Sequence, residues 1–347
     1  MKSEKRSFSI VINNYNYGRF LADAVDSALN QTVPSDEVIV VDDGSTDESR
    51  TVIAGYGKRI HPILQQNRGQ RSAYNAGFAA STGDLVLFLD SDDVLDPSVV
   101  ERVLAHADHG TAKVHFPLRI VNREGIETGG TVPSEGLVSG DLSVNLLRDG
   151  YYSAPPSSGN VYARHVLTQI LPMGEDLRYN ADTYTGYLAP FFGDVVAIPE
   201  ALGSYRLHGS NHDLAGFTNE ATLTNALRGD IERICFLETM AAKRGLRFNS
   251  DCLKREVHHM KLRISALRIA PSRHLFQGDS RLSLFVQGIR ATWSTRYLSV
   301  ARKLLFSAWF AALAVAPHSL VQKLAAIGCS PAARSSSMSW LLSKTKG

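Results

Sequence analysis

The sequence predicts an α/β protein: a doubly wound, mostly parallel sheet with a smaller antiparallel sheet and a helical C-terminal region. Three observations predict it. Leu85-Val86-Leu87-Phe88-Leu89 is too short a run for a helix core but suits a strand covered on both faces. The run stops on Asp90-Ser91-Asp92-Asp93, and Val38-Ile39-Val40-Val41 repeats the pattern by stopping on Asp42-Asp43-Gly44-Ser45-Thr46-Asp47. Between the strands, apolar residues recur at helical spacing, as βαβ units require.

In chain order, residues 8–12 form a first apolar strand, followed by the polar turn Asn13-Asn14-Tyr15-Asn16-Tyr17-Gly18. Small residues there let backbone approach a ligand. Leu21, Ala24, Val25, Ala28 and Leu29 mark a helix, and residues 60–64 a third strand. A helix beginning near Asn67 runs toward Gly83, with Arg71 and Asn75 one turn apart on a face that could reach a ligand or stay solvated. Residues 111–121 and 126–132 read as strands of the smaller sheet, with Asn122-Arg123-Glu124-Gly125 as their turn. Residues 133–160, rich in Gly, Pro and Ser, read as a long acceptor-side loop. Residues 180–192 read as a helix, 194–198 as a last strand, and the pattern from Ala221 is helical.

The acids at the end of residues 85–93 lie at a strand's carboxyl end, where open α/β sheets bind ligands. Clustered carboxylates are costly to desolvate, and a hard cation such as Mg²⁺ or Mn²⁺ is the simplest compensation. The bland alternative is a solvated turn before a helix that starts at Asp96-Pro97.

Length and a hydrophobic share of 44% suit one large α/β domain plus an appended region. Cys235, Cys252 and Cys329 are odd in number and lack metal-site spacing, so reduced thiols in a cytoplasmic protein are expected. The charged N-terminus passes straight into a strand without an apolar signal core. The net charge of +3 conceals an asymmetry: residues 251–347 hold 15 Lys/Arg against 3 Asp/Glu, and the other 250 hold 22 against 31. A tail at +12 on a body at −9 favours an anionic partner. With no nucleic-acid motif, a membrane surface is the first expectation.

Taken together, the Tyr15-Asn16 turn, Val41 to Asp47, Asn67 to Gly77, Phe88 to Asp93 and Tyr205-Arg206-Leu207-His208 resemble the inverting family-2 glycosyltransferases of the GT-A fold. The resemblance covers roughly the first 210 residues. It implies a catalytic domain over residues 1–215, with 1–100 binding a nucleotide sugar and 101–215 facing the acceptor, then a basic helical region over 216–347. It implies that Asn14, Tyr15 and Asp43 hold base and ribose, that Arg71 lies near base or diphosphate, and that Asp90 faces ribose or sugar. Asp92 would ligate Mn²⁺ or Mg²⁺, with His208 as an extra ligand, and Arg206 would face the diphosphate. Asp182 would be the general base, with Asp176 as the alternative because Ala181 stands where many relatives carry Glu.

The implied activity is single transfer from a nucleoside-diphosphate sugar to a glycan or lipid-linked acceptor in envelope or exopolysaccharide synthesis. The Gln-x-x-Arg-Trp signature of processive synthases is absent. The rivals are a nucleotidyltransferase, a receiver-like domain and an inactive scaffold. Residues 304–316 form an apolar run of thirteen, short of the ~20 that span a bilayer. With Trp293 and Trp309 nearby, it reads either as an interfacial helix or as one packed on the catalytic domain or a second subunit.

Overall fold

Four parallel strands carry the first third of the chain: β1 (Phe8–Asn14), β2 (Glu37–Asp42), β3 (His61–Leu64) and β4 (Leu85–Asp90). The computed structural model describes residues 6–134, 136–177, 181–208, 219–295 and 298–329. Helices α1 (Gly18–Leu29), α2 (Ser49–Tyr56) and α3 (Gln70–Ala80) connect the strands. Every residue of β1 is buried, as expected for a strand covered on both faces. Close packing of α3 depends on Gly77, where a Cβ would fall 2.3 Å from Val11 Cγ1.

The second part of the sheet is built differently from the sequence expectation. After β5 (Val94–Leu95) and α4 (Val99–His106), the stretch read as one strand divides into β6 (Thr111–His115) and β7 (Leu118–Val121). Pro117 lies at the break, where its missing N–H cannot continue a ladder. β6 joins the large sheet through β9 (Asn160–Ala163), which runs antiparallel between β4 and β6. β7 pairs with β8 (Glu127–Val132) across the expected turn, where Gly125 has φ +82° and Asn122 Oδ1 accepts from the Glu124 and Ile126 amides.

Helices α5 (Ser143–Asp149), α6 (Arg164–Ile170) and α7 (Ala181–Leu188) follow, and Pro190 sits in the 3₁₀ turn that ends α7. β10 (Asp194–Ala197) is not the last strand, since β11 (Gly203–Arg206) joins the smaller sheet. The final orders are β10-β6-β9-β4-β1-β2-β3 and β5-β11-β7-β8.

The chain divides into two compact units, residues 1–146 with 151–206, and residues 147–150 with 207–347. The second is helical: α8 (Glu220–Lys243), α9 (Val257–Ile269), α10 (Arg281–Ser294), α11 (Val300–Val315) and α12 (His318–Cys329). Asn219 and Ser280 cap α8 and α10 through side-chain oxygens. Leu227, Met260, Ile264, Leu284, Phe310 and Leu313 belong to its core. The apolar run of residues 304–316 thus packs one face of α11 inside this unit and leaves Leu304 and Leu305 exposed. Among the described residues, no helix is long and apolar enough to cross a membrane. His212 and the C-terminal stretch from Ser335 lie outside the described residues.

Candidate active site

The parallel register brings three strand ends level, pairing Asn13 with Val41 and Asp90, and Asn14 with Asp42. Asn13 is therefore a strand residue, not the turn residue its neighbours suggested. It is buried, and neither end of its amide has a partner among the described residues; Asn14 Oδ1 is likewise unpartnered. Asn14 Nδ2 donates to Asp42 Oδ1 at 2.9 Å and Ser45 Oγ at 3.1 Å. Nearly all buried polar groups find a partner, so one amide and a neighbouring amide oxygen left open at a sheet's carboxyl edge call for a polar ligand or water.

Asp90, Asp92 and Asp93 share a tight turn in which the Asp93 amide donates to Asp90 O at 3.0 Å. Asp93 is buried, accepting from Ser158 Oγ at 2.6 Å and the Arg206 amide at 3.1 Å. Burial, and then the charge of Asp92, push its carboxyl well above the ordinary range. Asp90 and Asp92 are half-buried. Both act on Tyr17, whose hydroxyl is pushed up to about 12, first by burial and then by these two carboxylates.

The buried Arg206 guanidinium is committed within its own unit. It donates to Asp92 O at 3.0 Å, Arg123 O at 3.0 Å and Asp23 Oδ2 at 2.9 Å, and lies 4.8 Å over the Phe20 ring. These contacts fasten β11 to the acidic turn. His208 is half-buried and belongs to the helical unit.

At the neighbouring strand end, Asp43 is buried and accepts from Gln65 Nε2 at 2.6 Å, the Arg68 amide at 2.9 Å and the Gly69 amide at 2.8 Å. It thereby shapes the loop leading into α3. Gly44, with φ +81°, permits the approach of that loop, since a Cβ there would lie 2.5 Å from the Asn67 amide nitrogen. Tyr15 is exposed and Arg71 half-buried in the first turn of α3. Asn75 does not share Arg71's surroundings: its amide bonds Met173 N and O at 2.8 and 3.0 Å, tethering the segment before α7.

Asp182 is half-buried in the first turn of α7, whereas Asp176 is exposed. The buried Tyr74 stacks on Phe88 at 4.1 Å, bonds Ser157 Oγ, and feels the charges of both Asp90 and Asp182. The structure thus brings the two carboxylates, distant in sequence, within electrostatic reach of one side chain. Below α7, Lys113 Nζ donates to Tyr152 Oη and Asn160 Oδ1, both at 2.7 Å, and Tyr152 Oη donates to Gly186 O at 2.7 Å. Burial lowers the Lys113 ammonium to about 7 against a counter-pull from Asp182.

Residues 9–135 match the glycosyl transferase family 2. Over 216 residues the chain is 38% identical to an uncharacterized glycosyltransferase of Nostoc sp., an alignment covering 60% of this chain and 66% of that relative. This chain carries a family-2 glycosyltransferase domain.

The chain spans about two thirds or less of the length of the curated relatives it matches first. Among solved structures, the chain is similar to TarS residues 1–349 of S. aureus in complex with UDP-GlcNAc, with a TM-score of 0.51 and 17% identity over 93% of this chain and 89% of that one. It is also similar to the mannosyltransferase PcManGT from Pyrobaculum calidifontis in complex with GDP-Man and Mn²⁺, with a TM-score of 0.50 and 14% identity over 93% of this chain and 85% of the other. At such identities the likeness shows the shared GT-A fold.

The described residues of the chain gather no group of three or more His, Cys, Asp or Glu side chains able to hold a metal ion. Two half-buried carboxylates on one turn nevertheless fit a hard cation that takes its remaining oxygens from phosphates. Sequence reasoning missed Tyr17, Tyr74, Lys113 and the Pro155–Asn160 stretch. The sequence predicts a loop there, yet Ser157, Ser158 and Asn160 are buried, and Ser158 Oγ also accepts from the Asp90 amide. Pro-Pro-Ser-Ser-Gly was legible as a break in periodicity but not as the clamp on β4.

Proposed function

We propose that the protein transfers a sugar from a nucleoside-diphosphate sugar to a hydroxyl of a glycan or lipid-linked acceptor, with inversion at the anomeric carbon. The observation that carries the reading is the Asn13 amide, level with Asp90 at the sheet's carboxyl edge, and the Asn14 Oδ1 beside it, which have no partner among the described residues. A base and ribose offer the donors and acceptors those groups need. Asn14, Tyr15 and the loop held by Asp43 receive the nucleoside, and Arg71 faces the diphosphate. Asp92 with Asp90 would hold Mn²⁺ or Mg²⁺, which supplies Lewis-acid stabilisation to the departing diphosphate. Arg206 acts through the turn, fixing the Asp92 backbone.

Asp182 takes the proton of the acceptor hydroxyl as its oxygen bonds the anomeric carbon. The bond from that carbon to the diphosphate oxygen breaks, and its electron pair leaves with the nucleoside diphosphate. Half-burial on α7 near Tyr74 supports Asp182 over the exposed Asp176. Envelope or exopolysaccharide synthesis is the setting implied by the resemblance. An anionic membrane partner is supported by Arg302 and Lys303 beside the exposed Leu304 and Leu305.

The test is a thermal-shift screen of UDP-, GDP-, dTDP- and CMP-sugars with and without Mn²⁺. One donor class raises the melting temperature only with metal, and Asp92→Ala removes the shift. Asp182→Asn keeps the shift but loses transfer. Stabilisation that survives Asp92→Ala, or turnover that survives Asp182→Asn, overturns the corresponding assignment.

A further inference from the structure

Within the helical unit a cleft of about 520 Å³ opens between the end of α9, the start of α10 and the α11–α12 connection. Its walls include Arg268, Arg281 and His318. Arg268 is only 7% exposed; its Nη2 donates to Ala316 O, while its Nε has no partner among the described residues. A buried guanidinium is costly unless an anion compensates it. Among the described residues, the one carboxylate lining the cleft does not do so: Asp279 is taken by Arg263 at 2.8 and 2.7 Å and by His274 at 2.7 Å. Neither Arg268 nor Arg281 forms an ion pair among the described residues. Burial and then the neighbouring Arg281 both pull the Arg268 guanidinium down. Two helices of 14 and 12 residues also begin at this cleft, at Arg281 and His318, and present the positive ends of their dipoles.

We propose that this cleft binds a phosphate group, gripped by Arg268 and Arg281 and faced by His318. The planar guanidinium fork matches phosphate oxygens, and helix starts supply further attraction. The phosphate can belong to a soluble molecule or to a lipid headgroup, and the 83% exposed Val315 on the cleft wall is compatible with either. The inference does not depend on the glycosyl-transfer reading, because every residue involved lies in the helical unit.

The test titrates inorganic phosphate into the full chain at constant ionic strength, using calorimetry. The expected result is saturable binding that Arg281→Gln weakens about tenfold or more, the equivalent of losing ~1.4 kcal/mol. Arg281 is exposed, so that variant should fold; an unchanged melting temperature without phosphate checks this. Arg268→Lys keeps the charge but not the fork, and should weaken binding too. Arg71→Gln separates the cleft from the donor site and should leave phosphate binding intact. Equal phosphate affinity in wild type and Arg281→Gln, or loss in Arg71→Gln alone, overturns the proposal. In parallel, vesicles of phosphatidylcholine with and without phosphatidic acid distinguish the sources: an Arg281-dependent preference for the acidic vesicles assigns a lipid headgroup, and phosphate binding without that preference assigns a soluble ligand.

Discussion

Asn13 buries an amide with neither end partnered among the described residues, an arrangement that costs a folded protein about 1–3 kcal/mol. A residue kept at such a cost suggests a bound-state role, and strand position 13 would otherwise suit a β-branched apolar side chain. Asn13→Val is therefore expected to raise stability against urea while weakening donor binding about tenfold. Urea melts and donor titrations measure the two effects, and a variant that loses stability yet binds normally contradicts the assignment.

Lys113 gives a pH-dependent counterpart. Its ammonium titrates near 7 in the folded protein and at the ordinary 10.5 in the unfolded chain. Between those values the unfolded state binds more protons, so stability contributed by this site rises with pH across the window and is lowest below it. Lys113→Met removes the buried charge, so the stability of the variant relative to wild type should be highest below pH 7 and decline toward pH 10. Urea melts at pH 6, 8 and 10 measure it; a difference independent of pH rejects the lowered ammonium. The two residues also show what the sequence conceals. Asp90 and Asp92 were legible because a strand ended on them, whereas Lys113 is a single cation in an ordinary strand whose burial depends on Tyr152 and Asn160, distant in sequence.

Among the elements, the acidic turn is held by parts that sequence periodicity does not connect. Ser158 Oγ accepts from the Asp90 amide and donates to Asp93, while Arg206 reaches in from β11. Ser158→Ala leaves buried Asp93 short of a donor, which should cost about 1–3 kcal/mol and weaken metal-dependent donor binding in the same variant. Binding that weakens with no loss of stability would place Ser158 in contact with the ligand instead. The parallel half, β4-β1-β2-β3, was legible because each strand and its crossover helix are local units with their own periodicity. The other half was not. β9 has four residues, follows a Pro- and Ser-rich stretch, and pairs antiparallel with two strands that lie 45 or more residues earlier in the chain. Without that wedge, residues 111–115 had no visible reason to leave the smaller sheet.

For the whole molecule the governing quantity is the charge split, −9 over the first 250 residues and +12 over the remainder. Long-range attraction between a basic region and an anionic surface decays with the Debye length, about 10 Å at 0.1 M salt and about 3 Å at 1 M. Apolar insertion does not decay in this way. The exposed Leu304 and Leu305, at 57% and 64%, stand on α11 beside Arg302 and Lys303, so both forces are available on one stretch. The full chain should cosediment with phosphatidylglycerol-containing vesicles at low salt and release as salt approaches 1 M. Arg302→Glu with Lys303→Glu should abolish the salt-sensitive part. Leu304→Asp with Leu305→Asp, exposed changes expected to alter stability by about 0.5 kcal/mol or less each, should remove whatever binding persists at high salt. Equal cosedimentation of all three proteins at both salt concentrations would mean that this face of α11 does not meet a membrane and that the positive charge serves another anion.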